Sequence, residues 1–404
     1  MRLDLPRLRE RFGAVLIYGL QTVYELDSGV IDHERKTCRD AAIQRVPYED
    51  IHEAMTDMAI VIPVRDEKLR LLEGVLAGVP NACQVILVSG SERDPVDRFQ
   101  LEKDMIETIS TYNNRPIICV HQRDPLLAKA FEAAGYTDII GDDGLARRGK
   151  AEGMIVGTMM AWLNGKKSIG FIDSDNYFPG AVLEYCHIYA SGIAMSRKRP
   201  YSMVRISWSS KPKVVESELY FAKWGRSSVI TNAFLNQLTS TYTGFETEAI
   251  RTGNAGEHSM TLDLAMNLGF SSGYSIEPYQ WVYLMEQFGG MQNPVSTDIM
   301  NKHVHVYQIE SRNPHLHEYK GEEHVEKMIE SSLSVIYHSA LATPKLREDI
   351  EEELVMRKIK TDKTPPVQLR QYPRLASMDL EAFKQTIAKE AQVLNLQDFI
   401  TRTA

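Results

Sequence analysis

The residues with the plainest capacity for chemistry sit in one stretch, Gly170 to Gly180, which reads Gly-Phe-Ile-Asp-Ser-Asp-Asn-Tyr-Phe-Pro-Gly. Ser168 to Ile172 is a short apolar run that ends in acid, the pattern of a buried strand delivering carboxylates to the edge of a sheet. Asp173 and Asp175 are two apart, with small Ser174 between them. On an extended strand, residues i and i+2 share a face, so both carboxylates reach one point. Two hard oxygen ligands suit Mg²⁺ or Mn²⁺, which keep waters and take phosphate oxygens as further ligands. The plainer alternative is a capped turn, since Asp, Ser and Asn all favour turns. The strand before it and the Asn-Tyr-Phe-Pro-Gly after it weigh against that.

Further polar residues fall where strands are expected to end: Pro63, Val64, Arg65, Asp66 and Glu67; Ser89, Gly90 and Ser91; and Gln122, Arg123 and Asp124; Gly149 and Lys150 open an expected helix. The run Arg251, Thr252, Gly253, Asn254, Ala255, Gly256, Glu257, His258 precedes an expected apolar helix, Met260 to Leu268. Small residues before a helix let backbone N–H groups approach an anion, and Arg251 adds a cation. The alternative is an ordinary glycine turn with a capping Asn or Glu. Ile309 to Gly321 is dense in charge, and His315 and His317 bracket Leu316 behind Asn313 and Pro314. His303 and His305 lie in an alternating run and are expected on a solvated sheet face.

Strands are expected at Ala59–Pro63, Val85–Val88, Ile117–Val120 and Ser168–Ile172. Helices are expected between them, over Arg65–Gly78, Leu101–Tyr112, Leu126–Ala134 (closed by Gly135) and Ala151–Leu163. Alternation over that length predicts an α/β fold with a mostly parallel, helix-covered sheet and a helical C-terminal extension. Ligands of such sheets sit beyond the carboxyl ends of the strands, where the polar residues gather. Two short strands are expected around Gly19, as a ribbon beside the main domain. The division predicted is 1–57 as ribbon and lead-in, 58–180 as the half whose strand ends suit a nucleotide, 181–330 as the half with the anion-facing run Arg251 to His258, and 331–404 as the extension. Residues 345–404 carry no visible chemistry and read as packing or dimer contacts, so a homodimer is one expectation.

The chain has 404 residues and a formal net charge of -8, which argues against a general nucleic-acid binder. Cys38, Cys83, Cys119 and Cys186 show no paired spacing, the usage of reduced thiols in a cytoplasmic protein. Neither a signal peptide nor a membrane span is expected.

Asp-X-Asp at the end of an apolar strand is the metal and nucleotide-diphosphate signature of GT-A glycosyltransferases. More specifically, the chain resembles the mannosyl-3-phosphoglycerate synthase family. The resemblance rests on Ile172 to Ala181, Arg251 to His258 and Glu310 to His315, and runs from the early strands to about residue 330. The family's middle residue is often Ala where this chain has Ser174. The resemblance implies a GT-A fold, transfer of mannose from GDP-mannose to 3-phosphoglycerate with retention, and a divalent cation (Mg²⁺, Mn²⁺ or Co²⁺). The product is the precursor of the compatible solute mannosylglycerate.

Carried onto this chain, Asp175 and a distal histidine, His317 ahead of His315, hold the metal. Asp173, Asp175 and Lys150 are catalytic. Pro63, Val64, Arg65, Glu67, Ser89, Gly90, Ser91, Gln122, Arg123, Lys150, Asp173 and Ser174 bind the donor, and residues 251–258 the acceptor. No carboxylate nucleophile stands out, so the resemblance implies attack by the acceptor hydroxyl on the leaving-group face. The alternatives are a glucosyl-3-phosphoglycerate synthase, another metal-dependent sugar-nucleotide transferase, or a binding module without activity.

Overall fold

In the computed structural model of the chain, the residues described are 1–6, 8–26, 43–176, 178–215, 218–220, 226–291, 293–318 and 320–393. Four parallel strands lie side by side in the order Ile117–His121, Gln84–Ser89, Met58–Val64 and Ser168–Phe171. Val64 pairs with Ser89 and Ser89 with His121, so three strand ends lie level. The sheet continues with His258–Thr261, antiparallel to both of its neighbours, then Ser202–Trp208 and Val304–Ser311. It therefore crosses residues 57/58 and 180/181 without a break in hydrogen bonding.

Successive residues of a strand point to opposite faces, and both faces are covered. Ala59 and Val61 join one apolar cluster with Met154 and Ile155 of the helix Lys150–Leu163. Ile60, Ile62 and Val64 join the other, with Val182 and Tyr185 of the helix Pro179–Met195. That double burial is why these strands read as unbroken apolar runs. The C-terminal helix Leu380–Val393 lies against Pro125–Ala133, with the Phe131 and Phe383 rings 5.0 Å apart. Among the described residues no helix is long and apolar enough to cross a membrane.

The mostly parallel, helix-covered sheet is as expected, and so is Gly135, which ends the helix Pro125–Ala133 at a φ of +74°. Four details differ. The helix expected from Arg65 starts at Leu69. Asp66 takes a positive φ of 55°, its N–H donates to Ser91 Oγ at 2.8 Å, and its Oδ1 accepts from Glu92 N at 3.0 Å. Met260 is in a strand, and the helix there is only Leu262–Asn267, because pairing with strands on both sides overrides helical periodicity. Val15–Tyr18 and Gln21–Glu25 do not form a ribbon of their own; each adds in parallel to Val304–Ser311. His305 is not solvated: it is buried, with Nδ1 2.8 Å from Tyr18 Oη. Of the last helix expected over Asp379 to Leu396, residues 394–396 lie outside the described residues.

The helix Lys150–Leu163 sits close on the Met58 strand because Gly157 has no side chain. A Cβ there would lie 2.4 Å from Val61 Cγ1. Gly157→Val is expected to destabilise the protein by about 1–3 kcal/mol through overpacking, seen as a lower denaturant midpoint. An unchanged midpoint would mean the helix can move off the sheet at no cost.

Candidate active site

Beyond the level strand ends lies a cavity of about 540 Å³. Regular pairing of the strand Ser168–Phe171 ends at Phe171, and Ile172 N–H donates to Val61 O at 3.1 Å. Asp173 to Asp175 then turn out of the sheet, so the two acids reach the cavity through a turn and not as i and i+2 of a strand. Asn176 shapes that turn: its Nδ2 donates to Asp173 O and to Glu257 Oε1, both at 2.9 Å.

Each acid then meets a lysine. Lys150 Nζ lies 2.7 Å from Asp173 Oδ1 and 2.8 Å from Glu277 Oε1. Loss of water opposes the charge on Lys150, but the two carboxylates outweigh it and raise its pKa well above the ordinary value. Desolvation would push Asp173 up; Lys150 outweighs it and holds the carboxyl below its usual range. Lys320 Nζ lies 2.7 Å from Asp175 Oδ2 and 3.8 Å from Glu67 Oε1. Desolvation opposes its charge too, and Asp175 more than restores it. The four carboxylates of the wall, Glu67, Asp173, Asp175 and Glu277, thus each face an ammonium. The same wall carries five basic side chains, Arg65, Arg148, Lys150, Lys211 and Lys320.

The histidine segment is fixed from below. Buried Glu184 accepts from Arg312 N at 2.6 Å, Asn313 N at 2.8 Å and Asn313 Nδ2 at 2.7 Å. His315 stacks on Trp208 at 4.6 Å, with Nδ1 3.5 Å from Tyr185 Oη and 3.9 Å from Glu257 Oε1. Burial, with Lys211 nearby, pushes its pKa well down, so the ring is neutral. His317 follows in a short strand paired with Lys213, its ring 5.1 Å from that of His315. Asp175 and His317 line the same cavity. One carboxylate and one imidazole fit a cation that completes its shell with water and phosphate oxygens. Among the described residues no three His, Cys, Asp or Glu side chains converge as a closed metal cage.

The run Arg251 to His258 opens a strand and not a helix, so no helix dipole stands behind it. Asn254 and Gly256 line the cavity. A Cβ on Gly256 would fall 2.6 Å from Asp173 Oδ2, so only glycine permits that approach. The rest of the run turns elsewhere. Arg251 is exposed and pairs with Glu248 at 2.5 Å. Thr252 Oγ1 donates to Gln308 Oε1 at 2.8 Å, and Gly253 N to Asn232 Oδ1 at 2.7 Å. Ala255 is buried in the core. Glu257 is fully buried, its carboxyl pushed up to about 8 by burial and by Asp173. His258 is fully buried: Nδ1 lies 3.0 Å from the carbonyls of Ala255 and Gly256, and Gln280 Nε2 is 2.8 Å from Nε2.

Of the expected donor residues, Pro63, Val64, Arg65, Glu67, Gly90, Gln122, Lys150, Asp173 and Ser174 line the cavity. Ser89 and Ser91 are buried away from it. Ser91 Oγ donates to Glu102 Oε1 at 2.5 Å, and Ser91 N to Ser89 Oγ at 3.2 Å. Arg123 pairs with Asp143 and faces a neighbouring cavity. Sequence reasoning missed Trp208, Lys211, Tyr274, Glu277, Lys320 and His324, all on the wall. Lys320 at least stood in the charge-dense stretch; Glu277, in the first turn of the largely buried helix Ile276–Phe288, carried a signal that went unread.

A family model described as mannosyl-3-phosphoglycerate synthase matches residues 5–387. The mannosyl-3-phosphoglycerate synthase of Pyrococcus furiosus is 44% identical over 395 residues, 98% of this chain and 99% of that protein. The Aeropyrum pernix protein of the same name is 38% identical over 358 residues, 88% of this chain and 89% of that protein. A solved structure of glucosyl-3-phosphoglycerate synthase from Mycobacterium tuberculosis, with Mn²⁺, UDP-glucose and glycerol 3-phosphate, is far more distant. It has a TM-score of 0.48 at 14% identity, over 88% of this chain and 97% of that chain.

The buried imidazole of His258 gives a pH test. Burial, then Arg205, lowers its pKa to about 3 from 6.5. Above pH 6.5 neither the folded nor the unfolded chain protonates it. Below that the unfolded chain takes up a proton that the folded one refuses. Stability is therefore expected to fall on acidification from pH 6.5, by up to about 1.4 kcal/mol per unit. His258→Gln, which cannot titrate, is expected to flatten the dependence of the urea midpoint on pH between neutrality and acid. Equal slopes would show that the ring accepts the proton in place.

Proposed function

The chain belongs to the mannosyl-3-phosphoglycerate synthase family, and from that premise we propose that it transfers mannose from GDP-mannose to 3-phosphoglycerate, with retention and with a divalent cation. The observation that carries the reading is the paired wall: every carboxylate on it faces an ammonium, and cations exceed acids. Such a wall suits ligands rich in phosphate, and it leaves no carboxylate poised as a nucleophile among the described lining residues.

In this reading Pro63, Val64, Arg65, Glu67, Gly90 and Gln122 hold the nucleoside end, beyond the level strand ends. Lys150 faces the diphosphate or the sugar oxygens, held still by Asp173 and Glu277. Asp175 and His317 hold Mg²⁺, Mn²⁺ or Co²⁺, which when bound neutralises charge on the departing diphosphate. His315 keeps the segment in place through its stack on Trp208 and its backbone N–H bond to Ser210 O. Asn254 and Gly256 place the acceptor against Asp173, and Lys211 adds a cation for its phosphate or carboxylate. With each wall carboxylate paired, the acceptor hydroxyl attacks from the leaving-group side, and its proton passes to a phosphate oxygen of the donor. The new glycosidic bond then lies on the face that the diphosphate leaves, which retains the configuration.

Transfer is tested with GDP-mannose, GDP-glucose and UDP-glucose, each with and without 3-phosphoglycerate. GDP-mannose is expected to be the preferred donor, and EDTA to abolish transfer until a divalent ion is returned. Better turnover of a glucose nucleotide would overturn the donor assignment.

The ligand assignment separates the two histidines. His317→Ala is expected to raise the metal concentration for half-activity, and the Kd for Mn²⁺ by titration, about tenfold or more. His315→Ala is expected to leave both closer to the parent. If His317→Ala binds Mn²⁺ normally, the distal ligand is another residue. Asp175→Ala should stay folded and lose activity; full activity in chelator would sink the metal site.

A further inference from the structure

Arg205 lies in the strand Ser202–Trp208 and is completely buried, yet among the described residues no carboxylate makes an ion pair with it. All five of its N–H groups are used on neutral partners. Nε donates to Thr252 O at 3.0 Å. Nη1 donates to Gln280 Oε1 at 2.5 Å and meets Met203 Sδ at 3.6 Å. Nη2 donates to Gly253 O at 3.3 Å and Glu277 O at 3.1 Å. The guanidinium also lies over the Trp281 ring, 5.4 Å from its centre.

Burying a cation costs several kcal/mol, and an apolar side chain of similar size is often as stable, so stability alone is a weak reason for an arginine here. What a rigid fork of five donors supplies is geometry. Its acceptors belong to two elements. Thr252 and Gly253 begin the loop whose Asn254 and Gly256 line the cavity. Glu277 and Gln280 lie on the helix Ile276–Phe288, and the Glu277 carboxylate holds Lys150. Gln280 extends the reach by donating to His258 Nε2, whose other nitrogen faces the Ala255 and Gly256 carbonyls. Both ends of the loop therefore trace back to one side chain.

We propose that Arg205 is a positioning residue for the acceptor: through Thr252, Gly253 and the Gln280–His258 relay it sets how the Asn254–Gly256 loop stands against Asp173. The inference rests on the reading of that loop as part of the acceptor site. Burial lowers the arginine's pKa only to about 9, so the fork stays charged at neutral pH.

Arg115 supplies a matched control. It too is buried and donates to carbonyls, those of Val79, Pro80 and Cys83, each at 2.9 Å, but that turn lies outside the cavity lining. Arg205→Lys keeps the charge and loses the fork. It is expected to raise the KM for 3-phosphoglycerate, and its Kd by calorimetry, about tenfold or more, the effect of losing a charge-assisted hydrogen bond. The KM for the sugar nucleotide is expected to stay within about twofold, a change below what one lost hydrogen bond gives. Arg115→Lys is expected to lower the denaturant midpoint without splitting the two KM values. Should Arg205→Lys fail to fold, Gln280→Met, which breaks the relay alone, carries the same test. Asn254→Ala keeps the two readings apart. If it leaves 3-phosphoglycerate binding unchanged, the loop is not the acceptor site. If it weakens binding while Arg205→Lys and Gln280→Met do not, or if those variants move both KM values together, the positioning role of Arg205 is overturned.

Discussion

Lys150 lies 2.7 Å from Asp173 and 2.8 Å from Glu277, and these two contacts tie together three parts of the chain. Lys150 begins one helix, Asp173 follows a sheet strand, and Glu277 lies at the start of another helix. Two carboxylates this close without a cation would repel, and one would take up a proton. The ammonium between them offsets that repulsion on a wall where water is already thinned. Gly256 closes on the same place from a fourth segment, near enough to Asp173 Oδ2 that no side chain fits. The ion pair is thus the point at which the strand-end side of the cavity meets the Asn254–Gly256 loop.

Further from the cavity the fold uses buried charge in another way. Glu184 satisfies the backbone of Arg312 and Asn313, just ahead of the two histidines. Arg205 satisfies Thr252 and Gly253, just ahead of the two cavity-lining residues of their loop. A loop has no ladder to satisfy its backbone, so a buried one needs such partners. A charged group bonded to several backbone atoms also fixes the direction in which the chain leaves. In both loops the functional side chains follow within a few residues of that anchor, where an imposed direction is least blurred by intervening torsions.

Much of the fold was legible because its signals are local. Each central strand is buried on both faces, so it appears as an apolar run, and each ends in polar residues, several of which line the cavity. Asp173, Asp175, Gln122 and Glu67 could be placed on one edge for that reason alone. The insertion of His258–Thr261 between two strands was not legible, since Ser-Met-Thr followed by Leu-Asp-Leu-Ala fits helix as well as strand, and only its neighbours decide. That single misreading accounts for the expected helix dipole at Gly253–His258 and for counting Glu257 and His258 as ligand-facing when both are buried. Ser89 and Ser91 were misjudged similarly, because Glu102, which draws them inward, lies on a later helix. Glu277 and Lys320 depend on pairings across more than a hundred residues, a distance at which spacing says nothing.

The balance of charge gives the last step. The whole chain carries a formal -8, yet the cavity wall holds five basic groups against four acids. A nucleotide sugar and a phosphoglycerate together bring about four to five negative charges. Lys150 and Lys320 are spent on the wall's own acids, and Arg65 and Arg148 lie against Glu92 outside it, so the wall cannot neutralise both ligands unaided. It can order them: the paired ammonium groups are held where the carboxylates put them, and they offer their remaining N–H donors in set directions. In the proposed reading the outstanding charge arrives with the substrates, a task suited to a small divalent ion that Asp175 and His317 would hold. On this account the sparse protein donor set is a consequence of a site built to be completed by its ligands. Lys320, which holds Asp175 at 2.7 Å, supplies a tethered positive charge at the same carboxylate.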